Sequence, residues 1–159
     1  MKKRDSFDFC SLGKAVIDAE IEALKKLLPK IDDKFNKACE LILNCHGRII
    51  VIGMGKSGHI GRKLASTLAS TGTPAFFIHP GEASHGDLGM ITDQDVVIVI
   101  SNSGTTEEII TILPTLKRFE IPLITLTGNP TSILATSADI NLDISIEKEA
   151  CTMNLAPTS

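Results

Sequence analysis

The first third of the chain has apolar side chains at helical spacing. In residues 14–28 and 31–45 they recur every three or four positions, which keeps them on one face of an α-helix. These apolar positions are Ile17, Ile21, Leu24, Leu28, Ile31, Phe35, Ala38, Ile42 and Cys45. We therefore predict two amphipathic helices, interrupted at Pro29, whose apolar stripes pack on the domain or on another subunit.

After Gly47 the pattern changes to short apolar runs that alternate with helical segments. The predicted strands are residues 48–54, 74–79, 95–101, 122–128 and 139–145, and the predicted helices are 60–72, 106–119 and 131–138. Strands that are apolar throughout and alternate with helices indicate a parallel sheet covered on both faces. The predicted fold class is α/β, a three-layer doubly wound sheet of five parallel strands.

Length and composition indicate one domain with an aliphatic core. The chain has 159 residues, of which 43% are hydrophobic and only 4% aromatic. We divide it into an N-terminal helical extension, residues 1–46, and an α/β domain, residues 47–159. The net charge of −3 gives no basis for binding nucleic acid, and no apolar stretch is long enough to span a membrane.

The cysteines and the N-terminus indicate a reducing compartment. Cys10, Cys39, Cys45 and Cys151 show neither a CxxC motif nor regular spacing. No apolar segment follows the basic start "MKKR", so a secretory signal is not expected. We expect reduced thiols and a cytoplasmic location.

The loop after the first predicted strand, "GMGKSG" (residues 53–58), fits the pattern G-x-G-x-x-G. A dinucleotide site is disfavoured, because His79 and Pro80 follow the second strand where a ribose-binding acid is needed. A phosphate loop of the Walker type is excluded, because Ile50 occupies the required glycine position. Two interpretations stay open: an anion site that presents Lys56, Ser57 and backbone N–H groups, or a tight turn between strand and helix.

The loop after the third predicted strand, "SNSGTTEE" (residues 101–108), combines hydroxyl groups with the start of a helix. Backbone N–H groups at a helix start attract anions, and the serine and threonine hydroxyls add donors. The alternative is helix capping alone, with Thr105 and Glu108 as a capping box. Parallel strands bring both loops to one sheet edge, which favours a phosphorylated ligand. Glu107 or Glu108 then offers a general acid or base.

Longer motifs carry a family resemblance. The segment "SNSGTTEE" resembles the signature of the SIS (sugar isomerase) family, which has a flavodoxin-like fold and whose serine-rich loop cradles a sugar phosphate. The stretch "GMGKSGHIGRKLASTLASTGTPAFFIHPGEASHGDLGM", together with "ISNSG" and "KEAC…LAPTS", is similar to bacterial D-arabinose-5-phosphate isomerases of the KdsD/KpsF type.

The resemblance implies an enzyme that interconverts D-ribulose 5-phosphate and D-arabinose 5-phosphate through an enediol. This is the first step of 3-deoxy-D-manno-octulosonate (Kdo) and lipopolysaccharide biosynthesis, and it uses no cofactor. The partners it implies are a small sugar phosphate and further copies of the chain in a homotetramer. Alternatives are another sugar-phosphate isomerase, such as phosphoheptose isomerase, or a non-catalytic SIS module that senses a sugar phosphate.

Matching motifs transfer the family's site residues to this chain. The catalytic positions are Lys56, Glu108, Glu149 and His85. Contacts to the sugar phosphate are expected from Gly55, Ser57, Ser101, Asn102, Ser103, Gly104 and Thr106. No metal is required, although His85 is a possible ligand for inhibitory zinc. Without the resemblance, Glu149 is an ordinary residue of a charged turn and His85 an ordinary loop histidine.

The final residues, "NLAPTS", end in two good helix-capping residues, Thr158 and Ser159. In the proteins that this chain resembles, a long helix, a further catalytic histidine and often a pair of CBS domains follow. We therefore expect the gene product to continue past Ser159. A polypeptide that ended there is expected to bind the sugar phosphate weakly at best and to turn it over poorly.

Overall fold

The structure, a computed structural model, describes residues 8–151. Ile31–Ser145 form one compact unit, and residues 8–30 together with 146–151 belong to another. In the second unit, Lys26 forms an ion pair with Glu147. The predicted motif "NLAPTS" lies outside the described residues. The predicted boundary between residues 46 and 47 stays a prediction.

The larger unit contains a sheet of parallel strands in the order β2-β1-β3-β4-β5. In the described part of the chain, the strands are β1 (Ile49–Gly53), β2 (Ala75–Ile78), β3 (Val96–Ile100), β4 (Leu123–Thr127) and β5 (Ile140–Asp143). The predicted α/β fold with five parallel strands is therefore confirmed. This strand order is that of flavodoxin-like folds.

Every residue of the central strands β1 and β3 is buried. Their β-branched side chains alternate between two faces, so Ile50 and Ile52 join one core cluster while Ile49 and Val51 join the other. Strands that bury both faces cannot show an apolar–polar alternation. This explains why β1 and β3 read as continuous apolar runs in the sequence.

The helices agree with the sequence pattern in position but not in every bound. Among residues 8–151 they are α1 (Phe9–Leu27), α2 (Asp33–Leu43), α3 (Gly55–Ser70), α4 (Pro80–Ser84), α5 (Glu107–Arg118) and α6 (Ile133–Ser137), with 3₁₀ turns at Leu28–Lys30 and Asp87–Met90. Helix α3 begins at Gly55, before the predicted residue 60. The prediction missed this start because the buried face of the helix consists of Gly58, Gly61 and Ala65. Such small residues give no hydrophobic periodicity. Helix α4 was not predicted.

The two N-terminal helices differ in how their apolar stripes are covered. Ala38 of α2 is buried, and Leu41 and Ile42 pack with it in the core cluster beneath the sheet. Most large apolar side chains of the α1 region are exposed, whereas Leu27 is half-buried. The exposed ones are Phe9, Leu12, Val16, Ile17, Ile21, Leu24 and Leu28. The α2 stripe thus contacts the core in part, since Phe35 is exposed, and the predicted role of the N-terminal extension stays a prediction. No helix within residues 8–151 combines the length and apolarity needed to cross a bilayer.

At the edge of the sheet where β1 and β3 begin, Asp95 joins the two strands. Its side chain is buried and accepts hydrogen bonds from the N–H groups of Arg48 (2.7 Å) and Thr92 (2.8 Å). The Arg48 guanidinium lies 3.3 Å from the same carboxylate. Burial opposes ionisation of Asp95, but these hydrogen bonds outweigh it and lower the pKa of the carboxyl below 3.8.

We predict that Asp95→Asn lowers the free energy of unfolding by about 2 kcal/mol at neutral pH, because bonds to a charged acceptor are lost. A lowered folded-state pKa stabilises the fold above pH 3.8 and ceases to do so as the pH falls through that pKa. The difference between the wild type and the variant should therefore shrink below about pH 4. Urea unfolding measures it, with the exposed Asp93→Asn as control. A pH-independent difference would contradict the account.

Candidate functional site

At the carboxyl ends of β1 and β3, the connections that leave the two strands go to opposite faces of the sheet. Helix α3 follows β1 and packs in the cluster that contains Val51 and Ala65. Helix α5 follows β3 and packs in the opposite cluster through Ile109 and Ile112. Because β1 and β3 are neighbours, the two loops that leave them diverge to opposite faces and leave a crevice between them.

The loop after β1 uses its glycines to bring the start of α3 against the strand. A Cβ on Gly58 would lie 2.8 Å from the carbonyl oxygen of Gly53, and one on Gly53 would lie 2.9 Å from that of Ser57. Gly55 has a φ of +56°, which other residues rarely adopt. The predicted tight turn is therefore present in the structure.

The same loop leaves the start of α3 without a side-chain cap. The N-cap residue is Met54, whose side chain makes no capping hydrogen bond. Lys56 is exposed and Ser57 half-buried, and both lie in the first helical turn. A helix start that carries free N–H groups, an apolar cap and an exposed lysine suits an anion.

The loop after β3 is organised by two hydroxyl groups. The buried Ser101 hydroxyl accepts a hydrogen bond from the Gly104 N–H (3.1 Å) and pairs with the Thr106 hydroxyl (2.8 Å). Asn102 and Ser103 are exposed. The geometry thus divides the predicted phosphate contacts: Ser101 and Thr106 pair inside the loop, whereas Asn102 and Ser103 are exposed to solvent.

The predicted capping box of Thr105 and Glu108 is wrong. The N-cap of α5 is Thr106, and its side chain makes no capping bond. The Thr106 hydroxyl pairs with Ser101, and the Thr105 N–H donates to the Ser103 hydroxyl at 3.2 Å. Glu107 and Glu108 both lie exposed in the first turn of α5, where the helix dipole favours negative charge.

The loop after β4 holds in place the loop after β3, residues 101–108, which we call the serine loop. The Gly128 N–H donates to the Asn102 carbonyl (2.8 Å), and the Leu134 N–H donates to the Gly104 carbonyl (3.2 Å). Gly104 has a φ of +65°, and a Cβ there would lie 2.0 Å from the Ser132 hydroxyl. Gly128 and Ser132 were not predicted as site residues; the turn-forming stretch "TGNPTS" was their one sequence signal.

The remaining predicted residues fall in two places. His85 is the exposed C-cap residue of α4, a helix that contacts α5. Lys56, His85, Glu108 and the two loops therefore belong to the unit formed by Ile31–Ser145. Glu149 belongs to the other unit, and its role stays a prediction. Within residues 8–151, no three His, Cys, Asp or Glu side chains gather as a metal site.

We predict that Gly104→Ala destabilises the protein by about 3 kcal/mol, because the new methyl group meets Ser132 and forces a strained backbone. Thermal unfolding measures the loss. Gly89→Ala is the matched control, since a Cβ at Gly89 meets nothing within 4 Å. Equal melting temperatures for the two variants would show that the serine loop is not held as described.

Comparisons with known proteins find relatives in sequence and in structure. The family described as "SIS domain" matches residues 42–159. The chain is 57% identical over 159 residues to the arabinose 5-phosphate isomerase KdsD of Pseudomonas aeruginosa, covering 100% of this chain and 49% of that protein. It is 58% identical over 153 residues to the KdsD of Escherichia coli O157:H7, covering 96% and 47% respectively.

A solved structure shares the fold closely. The E. coli CFT073 protein c3406, in complex with arabinose 5-phosphate, aligns with a TM-score of 0.90 and 44% identity, covering 97% of this chain and 82% of that one. The chain spans about half the length of the curated relatives that it matches. On the family match and the common fold, the chain belongs to the SIS domain family.

Proposed function

We propose that the full-length protein is an isomerase that interconverts D-ribulose 5-phosphate and D-arabinose 5-phosphate. The observation that carries the proposal is the pair of loops that leave β1 and β3 at one edge of the sheet, one with Lys56 and the other followed by Glu107 and Glu108. The names of the KdsD relatives and the arabinose 5-phosphate complex of c3406 support this choice of substrate. No organic cofactor is needed for the reaction.

The loops hold the phosphate group in this proposal. N–H groups in the first turns of α3 and α5, the Ser57 and Ser103 hydroxyls and the Asn102 amide act as donors to the phosphate oxygens. Gly55 and Gly104 let the backbone adopt the turns that expose these donors. A fixed phosphate keeps the sugar carbons still beside the first turn of α5, which lowers the entropic part of the barrier.

The chemistry is a proton transfer between adjacent carbons. Glu108 removes the proton from C2 of the aldose, electrons move toward the carbonyl oxygen, and an enediolate forms. A proton then moves from the C2 hydroxyl to the C1 oxygen, and the proton taken from C2, or one from solvent, is returned to C1 to give the ketose. The Lys56 ammonium stabilises the negative charge that develops on the enediolate oxygen. His85 is proposed to assist proton transfers at the sugar oxygens, and the catalytic role that the resemblance implies for Glu149 stays a prediction.

The wider context is also a proposal. The product D-arabinose 5-phosphate would feed Kdo and lipopolysaccharide biosynthesis in the cytoplasm. The exposed apolar side chains of the α1 region support a homo-oligomer, because their burial between subunits would remove a large apolar surface from water. We propose a homotetramer with dihedral symmetry.

A coupled assay tests the function. Purified full-length protein should convert D-ribulose 5-phosphate faster than it converts other ketose phosphates, phosphoheptose and hexulose phosphates included. Preference for another ketose phosphate would refute the proposed substrate but leave the proposed reaction class, aldose–ketose isomerisation, in place. Tight binding of the sugar phosphate without any turnover would favour the non-catalytic sensing module instead.

We predict that Lys56→Ala lowers kcat at least roughly a hundredfold, the usual scale for losing one electrostatic stabiliser of a transition state. Lys63→Ala is the matched control, because Lys63 is an exposed lysine of the same helix two turns further on. Steady-state kinetics measures both variants. Near-normal turnover of Lys56→Ala would show that Lys56 is a solvated surface lysine without a catalytic role.

We predict that Glu108→Gln abolishes most of the activity and that Glu107→Gln leaves it nearly unchanged. Each glutamate favours the start of α5 by about 0.3–1 kcal/mol through the helix dipole, so the two variants should have similar melting temperatures. Kinetics and thermal unfolding of the pair therefore separate chemistry from helix stability. Equal losses of activity would contradict the assignment of Glu108.

We predict a tetramer at micromolar concentration, measured by light scattering. Replacing Leu24 and Leu28 by glutamate should shift the protein toward smaller species, since both side chains are exposed apolar groups of the α1 region. The matched control is Ile133→Glu, because Ile133 is an exposed apolar residue of α6. A monomer in the unmodified protein would refute the proposal.

A further inference from the structure

We propose that His79 is a positioning residue that fixes α4, and with it His85, at the crevice edge. The inference rests on the proposed function, because it assigns His79 a task within that active site. Its basis is independent of the resemblance: the sequence pattern gave His79 no role beyond following a strand.

The contacts of His79 are those of a helix cap. Its Nδ1 accepts a hydrogen bond from the Gly81 N–H at 3.2 Å, and its carbonyl oxygen accepts one from the Ala83 N–H at 2.9 Å. Pro80 occupies the first helical position and is buried. Proline at this position suits a helix start, because it has no N–H to satisfy.

The location of His79 ties α4 to the edge that carries the loops. Ile78 at the end of β2 is paired with Ile52 of β1, so His79 follows directly beside Gly53. The "GMGKSG" loop begins at Gly53. The cap is therefore attached to the carboxyl edge of the sheet, next to the proposed anion site.

Helix α4 needs an external anchor because it has only five residues. A helix this short is not stable by itself. Ala83 is buried in the core cluster that also contains Ile109 of α5, and His85 closes the far end of α4 with its N–H bonded to the Glu82 carbonyl at 2.9 Å. The cap at His79 thus sets the start of the segment whose end is His85.

A histidine is an unusual choice for a cap, for which serine, threonine, aspartate and asparagine are preferred. Because Nδ1 accepts a hydrogen bond, the neutral ring carries its proton on Nε2. This tautomer gives the cap a spectroscopic signature: the ¹⁵N resonances of His79 should show an unprotonated Nδ1 and a protonated Nε2.

The first experiment compares three variants of the full-length protein by steady-state kinetics. His79→Ala removes the acceptor and should lower kcat about tenfold, the scale of a modest misplacement of an active-site group. His79→Asn restores a good capping acceptor and should recover most of the activity. Asp32→Ala removes the N-cap of α2, which accepts from the Lys34 N–H at 2.8 Å, and should leave kcat unchanged.

A double-variant cycle tests whether His79 acts through His85. In the His85→Ala background, adding His79→Ala should produce no further loss of kcat, because the group being positioned is already absent. A multiplicative loss would overturn the proposal, as would failure of His79→Asn to restore activity or wild-type kinetics of His79→Ala.

A measurement without turnover separates this proposal from the proposed function. The ¹H–¹³C resonance of the His85 ring should move in His79→Ala and stay in place in Asp32→Ala and His79→Asn. This result is expected even if the protein isomerises no sugar phosphate, an outcome that would refute only the proposed function. An unchanged chemical shift of the His85 ring in His79→Ala would overturn the positioning role.

Discussion

The parallel pairing of β1 with β3 is the constraint on which the rest of the molecule depends. Both strands are buried throughout, and their register sets Gly53 opposite Ile100. The crossovers that follow them turn to opposite faces of the sheet, so the loops after Gly53 and Ile100 start side by side and then separate. Ligands of open parallel sheets bind at such a point, so the arrangement favours a ligand site here before any catalytic group is considered.

The residues around the crevice divide into those that build it and those that face it. Glycines at positions 53, 55, 58 and 104 allow close approaches and positive φ angles, and the buried Ser101 hydroxyl organises the second loop. Lys56, Ser103 and Glu108 are exposed at the same edge. Buried supports beneath exposed polar and charged side chains are what catalysis by positioning and electrostatics requires.

The sheet was readable from the sequence because burial on both faces selects continuous runs such as "RIIVIG" and "VVIVI". The start of α3 could not be predicted from the sequence, because its buried face is made of Gly58, Gly61 and Ala65, which carry no hydrophobic signal. The capping box failed for a different reason: Thr106 is paired with Ser101, a contact that local rules do not foresee. The interlock of Gly104 with Ser132 and the cap of α4 likewise depend on the folded chain.

The central claim is that the two loops form one site for a sugar phosphate. Titration of the ¹⁵N-labelled full-length protein with D-arabinose 5-phosphate tests it most directly. The account predicts that the amide resonances of Lys56 and Ser57 and those of Ser103 and Gly104 move together, with one dissociation constant, and that unphosphorylated D-arabinose moves them far less. Shifts confined to one loop, or absent from both at saturating ligand, would contradict it.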